Sequence, residues 1–274
     1  VAGRLEPLTA ANAPEALAYL AERPYDNVYV AWLLGTGQIA RTGEAAVWRA
    51  STGTITGFCY CGAQIVPSAN EDAALVAFAE RVKRSPVARM IVGPRPAVER
   101  FWAVASPNMR RPTAIRTSQP VYAIERSSLR GSRADADVQR ATRDDLADIV
   151  PNSARMIAGE IGGDPDRASA EFQTRTARII DAGWWWRYRV DGKLAFMCNV
   201  GSSTPYTAQL QGVWSPPEMR GQGHAERALA AICDRLLDEH PTLCLYVNDF
   251  NHSAIALYER VGFTRAGEFS TILF

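Results

Sequence analysis

The stretch that most restricts the fold is Ser215–Leu237, SPPEMRGQGHAERALAAICDRLL. A strand that reaches Pro216-Pro217 cannot go on pairing, because proline donates no backbone hydrogen bond. Gly221 and Gly223 then let the chain bend sharply and bring bare amides to its surface. A helix must start at once, since Ala228, Leu229, Ile232, Leu236 and Leu237 recur at helical spacing. Its first N–H groups and the positive end of its dipole converge on the glycine turn. Strand, turn and helix together make an anion site suited to phosphate, with Arg220 adding charge at the rim. No G-K-[ST] follows and the glycines are not spaced G-x-G-x-x-G, so the turn is neither of those nucleotide loops.

The surroundings of this turn predict an α/β layer architecture. Thr142-Arg-Asp-Asp145 reads as a helix start with acids in the first turn. A helix is predicted over 168–181, stopped by Gly183. Asp191-Gly192 between WWWRYRV and KLAFMCNV signals a hairpin. A strand over 207–214, a helix over 225–239, a strand over 243–247 and a helix over 253–261 follow, and the final FTRAGEFSTILF reads as two short strands. The N-terminal half predicts helices over 14–21, 72–82 and 98–104, with strands over 46–50, 54–66, 89–92 and 120–125. Its order resembles that of the C-terminal half, and GFCYCGAQ echoes AFMCNVGS, a hint of internal duplication. The polar segment SSLRGSRADAD, 127–137, reads as a linker and places the boundary between domains 1–130 and 131–274.

Charge removes some functions. With 30 basic and 29 acidic residues the chain lacks the electrostatic footprint of a nucleic-acid binder or of a protein held on an anionic membrane. There is no run of about 20 apolar residues to span a bilayer, and the first 20 residues lack the pattern of a secretory signal. The expected compartment is cytoplasmic. The five cysteines include no C-x-x-C pair and suggest no metal. Cys59 and Cys61, two apart on one strand face, read as buried, reduced thiols.

A second motif fixes the meaning of the turn. NHSAIALYERVGF, 251–263, lies one strand beyond it. The pair resembles the GCN5-related N-acetyltransferase (GNAT) superfamily. Arg220, Gly221, Gln222, Gly223, His224 and Ala225 match that family's R/Q-x-x-G-x-G/A motif. Asn251, Ala254, Leu257, Tyr258, Gly262 and Phe263 match its N-x-x-[AS]-x-x-L-Y-x-x-x-G-F motif. The resemblance implies a mixed, mostly antiparallel sheet flanked by helices. The N-terminal half, with no R-x-x-G-x-A, looks like a degenerate second domain of the same kind, so the chain resembles a tandem member.

The resemblance also implies acetyl-CoA as co-substrate. Amides from Gly221 to Ala225 would hold the pyrophosphate. The edge of Val213, Trp214 and Ser215 would pair with the pantetheine arm and offer an N–H to the thioester oxygen. Asn251 would meet the cofactor arm, and Tyr258 would protonate the leaving thiolate. The acceptor would be a small-molecule or peptide amine, attacking directly in a ternary complex. An amine near pKa 10 needs a base, for which Glu160, in a glycine-rich loop, is the first candidate and Glu218 the second; a solvated loop acid is the plainer alternative for Glu160. One of Trp184, Trp185 and Trp186 could line the acceptor groove. The competing function is a non-catalytic acyl-CoA-binding regulatory module.

Overall fold

The computed structural model describes residues 3–37, 39, 43–82, 88–161 and 169–274. The chain runs through β1 (Arg4–Pro7), α1 (Ala13–Ala21), α2 (Pro24–Gly35), β2 (Ala45–Arg49), β3 (Ile55–Cys61) and β4 (Gln64–Ala69). Then come α3 (Asp72–Val82), β5 (Met90–Pro94), α4 (Arg95–Ala105) and β6 (Ala114–Glu125). After these the same order begins again: β7 (Val138–Arg140), α5 (Leu146–Ile161), α6 (Ala170–Asp181), β8 (Trp185–Val190), β9 (Lys193–Ser203) and β10 (Thr207–Trp214). It closes with α7 (His224–Leu236), β11 (Thr242–Tyr246), α8 (His252–Val261) and β12 (Thr264–Leu273). Among the described residues both halves therefore read β-α-α-β-β-β-α-β-α-β, the order expected of a duplicated domain.

By contacts the chain forms two compact units that are interleaved in sequence. Unit 1 comprises Val1–Ala123, Tyr246–His252 and Arg265–Phe274; unit 2 comprises Ile124–Leu245 and Ser253–Thr264. In unit 1 the strands lie in the order β1-β2-β3-β4-β5-β12-β6. Neighbours pair antiparallel from β1 to β4 and again between β5 and β12, whereas β4 and β5 are parallel. Unit 2 has the order β11-β10-β9-β8-β7, antiparallel except for β10 with β11.

Unit 1 buries its sheet on both faces. Along β2, Ala45 and Val47 join one core with α1 and α2, while Ala46 and Trp48 join the other with α3 and α4. Phe58 and Cys59 divide the same way on β3. That is the period-two alternation of a strand, with apolar residues on each side because helices cover each side. In unit 2, Ile149 and Ile180 from the first two helices pack on Trp185, Leu194 and Met197 of the sheet. Helix α7 buries Ala228, Leu229, Ile232 and Leu236, the stripe read from the sequence.

Several expectations need correction. PYDNVYVAWLLG is a helix that the pattern hides, because apolar side chains occupy nearly all its sides; Pro24 sits in its first turn, where its fixed φ suits a helix start. FTRAGEFSTILF is one strand, not two. Gly267 does not break it; a Cβ there would lie 3.5 Å from Asp26 Oδ1 and 3.7 Å from Val121, so glycine permits close packing. The segment read as a linker is tied down: the Arg133 amide and Nε donate to Asp234 at 2.8 and 3.1 Å. Cys61 is only half-buried. The hairpin is as expected, with Asp191 at φ 49° and Gly192 at φ 76°, the signature of a type I′ turn. Thr142 and Asp145 form a capping box, the Thr142 amide donating to Asp145 at 2.9 Å.

Candidate functional site

Strand β10 is irregular where the sequence places the cofactor edge. Its parallel ladder to β11 runs from Thr207 to Gln209 and stops there. On its other side the antiparallel register to β9 shifts twice, between Gln209 and Leu210 and between Gln211 and Trp214. The second shift inserts one extra residue in β10, since Gln211 faces Asn199 and Trp214 faces Met197. Gly212 makes this bulge possible: its φ is +63°, and a Cβ there would meet Asn199 Oδ1 at 2.8 Å. The strand therefore bends away after Gln209 and carries Val213, Trp214 and Ser215, all partly exposed, beyond the ladder with β11.

The turn that follows is built as the prolines and glycines require. Pro217–Met219 form one turn of 3-10 helix, closed by Met219 N–H donating to Pro216 and Arg220 N–H to Pro217. Gly221 and Gly223 adopt φ of +74° and +77°, and Gly223 is the N-cap of α7 with no side chain to cap it. The helical ladder starts with Arg227 N–H donating to the Gly223 carbonyl at 3.3 Å. The amides of Gly221, Gln222, Gly223, His224 and Ala225 thus precede the first intrahelical bond.

Side chains brace the turn. Arg220 stacks over Trp214 at 4.5 Å and donates through Nε to the Ser215 carbonyl at 3.0 Å, joining the strand end to the turn. Trp214 Nε1 in turn donates to Asn152 Oδ1 at 3.3 Å. Gln222 is exposed and donates back to the Glu218 carbonyl at 3.0 Å. Glu218 is itself exposed. His224 Nδ1 lies 3.0 Å from Arg227 Nη2, and its ring is 6.0 Å from that of Tyr188. Arg227 was not foreseen in the sequence, yet its guanidinium lies over Gly223, 2.9 Å from where a Cβ would stand. The acid in the first turn of α7, Glu226, is paired with Arg260 at 2.7 Å, which offsets its repulsion of an anion. Gly221 has open space where a Cβ would project. Positive-φ backbone, unladdered amides and two guanidinium groups fit a phosphate ester.

Tyr258 lies in α8, which ends with the Gly262 and Phe263 amides both donating to the Tyr258 carbonyl, at 3.1 and 3.0 Å. Gly262 has φ +110°. The Tyr258 side chain is 5% exposed. Burial pushes its phenol pKa well up, and the nearby Glu160 carboxylate adds to the rise. Glu160 is therefore close enough to Tyr258 to act on its titration, although the two are far apart in sequence. One expectation for Glu160 fails: it is not in a loop but in the last turn of α5, exposed. Most of the glycine-rich stretch after it, 162–168, lies outside the described residues.

The remaining predicted residues fall elsewhere. Asn251 belongs by contacts to unit 1, in the segment Tyr246–His252, with its amide donating to the Asn248 carbonyl at 2.9 Å. Trp185 and Trp186 are both buried: Trp185 joins the unit 2 core, and Trp186 lies under the Arg140 guanidinium at 4.8 Å. Among the described residues no group of three or more His, Cys, Asp or Glu could hold a metal. No described helix is long and apolar enough to cross a membrane.

A mixed, mostly antiparallel sheet flanked by helices, built from one repeated order of elements, is the architecture of tandem GNAT proteins. Residues 155–263 match the model of the acetyltransferase (GNAT) family, and residues 45–149 match DUF4081, a domain of unknown function. The stretch that matches the acetyltransferase (GNAT) family contains the glycine turn, Tyr258 and Glu160. Among solved structures it resembles a GNAT-family acetyltransferase from Colwellia psychrerythraea, with 14% identity over 99% of each chain and a TM-score of 0.57. It also resembles a GCN5-related N-acetyltransferase from Sphaerobacter thermophilus, with 12% identity over 98% of this chain and 94% of that one and a TM-score of 0.59. A tandem GNAT protein from the clavulanic acid biosynthesis pathway shares 16% identity over 98% of each chain, with a TM-score of 0.56. At such identities these likenesses speak for the fold. No curated protein matches the sequence.

Proposed function

We propose that this chain is an acetyl-CoA-dependent N-acetyltransferase whose acceptor is a small-molecule or peptide amine. The observation that carries the reading is the meeting, in unit 2, of the Gly221–Ala225 amides with a bulged strand end, with the buried Tyr258 in the same unit. Bound acetyl-CoA would supply a thioester carbonyl, and the amides of Gly221 to Ala225, with Arg220 and Arg227 beside them, would hold its phosphates. The strand end at Val213, Trp214 and Ser215 has left the β11 ladder and offers its edge to an extended arm. Glu160, exposed at the end of α5, would take a proton from the attacking amine through water. Tyr258 keeps its proton at Oη through neutral pH because burial disfavours the phenolate. It is a donor to a departing thiolate, never a base.

Tyr258→Phe tests the reading because it keeps the ring and removes the hydroxyl. Transfer to a panel of amines is expected to slow by about 10²–10⁴-fold, while acetyl-CoA affinity by calorimetry stays as in wild type. Wild-type turnover by the variant across pH 6–9 would make Tyr258 a packing residue. Cofactor binding with no transfer to any amine would place the chain with non-catalytic acyl-CoA-binding modules.

A further inference from the structure

Unit 1 holds a chemically active cluster that acyl transfer does not use. Cys59 and Cys61 lie two apart on β3 and point to one face. Their sulfurs are 3.5 Å apart. Cys59 is buried, whereas Cys61 is half-buried and lines a cavity of about 590 Å³. Arg81, on α3, lines the same cavity and is held there by Nη2 donating to the Gly43 carbonyl at 3.2 Å. Leu5 and Ala77 provide apolar wall. The Cys59 thiol, then the Arg81 guanidinium, favour a thiolate at Cys61 against the effect of burial. Burial has the opposite outcome at Cys59, whose thiol stays protonated. Glu44 and Glu80 also line the cavity, and Glu44 opposes the thiolate. The sulfur at the cavity wall is thus the more readily ionised of the two, and a second thiol stands behind it. Two merely packed thiols would need neither the cavity nor the cation.

We propose that Cys61 and Cys59 form a peroxide-reactive dithiol site, with Cys61 the attacking sulfur for a small hydroperoxide and Cys59 the resolving thiol. In the first step the Cys61 sulfur attacks the O–O bond; an S–O bond forms, the O–O bond breaks, and the alkoxide leaves as an alcohol with a proton from solvent. Cys61 is then a sulfenic acid. In the second step the Cys59 sulfur attacks the Cys61 sulfur; the S–S bond forms, the S–O bond breaks, and the Cys59 proton leaves with the hydroxyl as water. Two electrons pass from the two sulfurs to the peroxide. Along a strand, residues two apart have Cα atoms about 6.7 Å apart, near the upper end of the roughly 4.4–6.8 Å a disulfide spans. The bond is therefore geometrically accessible, and an external dithiol that reduces it restores the site.

The test is mass spectrometry of the full chain after stoichiometric hydrogen peroxide, followed by unfolding and alkylation. The peptide carrying Cys59 and Cys61 is expected to lose two hydrogens and to escape alkylation. Cys198 and Cys233, whose thiols burial pushes up, serve as internal controls and should be alkylated in full. Cys59→Ala should halt the reaction at a Cys61 sulfenic acid that a 1,3-diketone traps, and Arg81→Gln should slow it several-fold. Oxidation of Cys198 or Cys233 as fast as Cys61 would overturn the proposal, as would wild-type protein that loses no hydrogens at this pair. The wild-type measurement needs no variant, and none of the readouts depends on acyl transfer.

Discussion

Asp234→Asn should destabilise unit 2 by an amount the structure allows to be worked out. Asp234 sits in α7 with its side chain 12% exposed. Its carboxylate accepts from the Arg133 amide at 2.8 Å and from Arg133 Nε at 3.1 Å, and it pairs with Arg126. Arg126 also donates to the Asp234 main-chain carbonyl at 2.8 Å. The Arg133 guanidinium is the largest cause that holds the carboxyl down from 3.8 to about 2. At about 1.4 kcal/mol per tenfold change in proton affinity, this depression is worth roughly 2 kcal/mol. Both arginines are about half exposed, so water takes over their solvation in the variant and adds no buried-charge penalty. For a chain of this size 1 kcal/mol moves Tm by about 2–4 °C, so the variant should melt roughly 4–8 °C below wild type at pH 7. The carboxyl is depressed in the folded state, so its contribution is complete above the unfolded pKa near 3.9 and is lost as pH falls through about 2. The gap between wild type and variant must therefore narrow between pH 5 and the lowest pH at which the protein still folds. Calorimetric scans at successive pH values measure both quantities. A gap below about 1 °C at pH 7, or one that does not narrow on acidification, would refute the reasoning. Hydrogen exchange should report faster opening of residues 126–135 in the variant.

Gly223→Val should abolish acetyl-CoA binding in calorimetry, because φ is +77° and the proposed site needs that amide to face phosphate; unchanged affinity would move the site elsewhere. Gly262→Ala should lower Tm far more than Gly221→Ala. Positive φ costs both about 1–3 kcal/mol, but only at Gly262 does the new Cβ collide with a main-chain oxygen, that of Ser128. Equal losses would mean that the Ser128 segment yields freely. Unit 1 should bind no CoA. In its order of elements the junction matching the glycine turn is Asn70-Glu71, between β4 and α3. There the Glu71 carboxylate, which accepts from Trp48 Nε1 at 3.1 Å and Thr56 Oγ1 at 2.5 Å, already lies at the helix start. A co-crystal with cofactor in both halves would disprove this.

What the sequence revealed depended on how local the cause was. Pro216-Pro217, Gly221 and Gly223 act within a few residues through φ and missing donors, and the turn came out as read. The strand over 207–214 and the Asp191-Gly192 hairpin are equally local, and both were legible. The bulge at Gly212 was not, because it depends on how β9 registers against β10 and on contact with Asn199. An isolated glycine inside an apolar strand was the available signal. Helix α2 escaped because burial on most sides erases the stripe that marks a half-buried helix. Glu160 was assigned to a loop because two glycines follow it, yet the helix from Leu146 carries on to Ile161. Its influence on Tyr258 is tertiary and left no trace in spacing. The polar segment 127–137, with Arg133 in it, reads as a linker because the partner of Arg133, Asp234, lies about a hundred positions later.

The position of β12 has a consequence for how the chain can be made. Residues Phe269–Leu273 pair with Met90–Pro94 on β5, and β12 lies between β5 and β6 in the unit 1 sheet. During synthesis β6 leaves the ribosome some 140 residues, and β5 some 170 residues, before the strand that joins them. Until then each presents an unpaired edge, the kind of surface that recruits strands from other chains. The N-terminal unit therefore matures last, and a nascent or truncated chain ending near residue 130 depends on chaperone cover or fails by aggregation. The slow step in folding is expected to be this long-range closure rather than the formation of either helical layer.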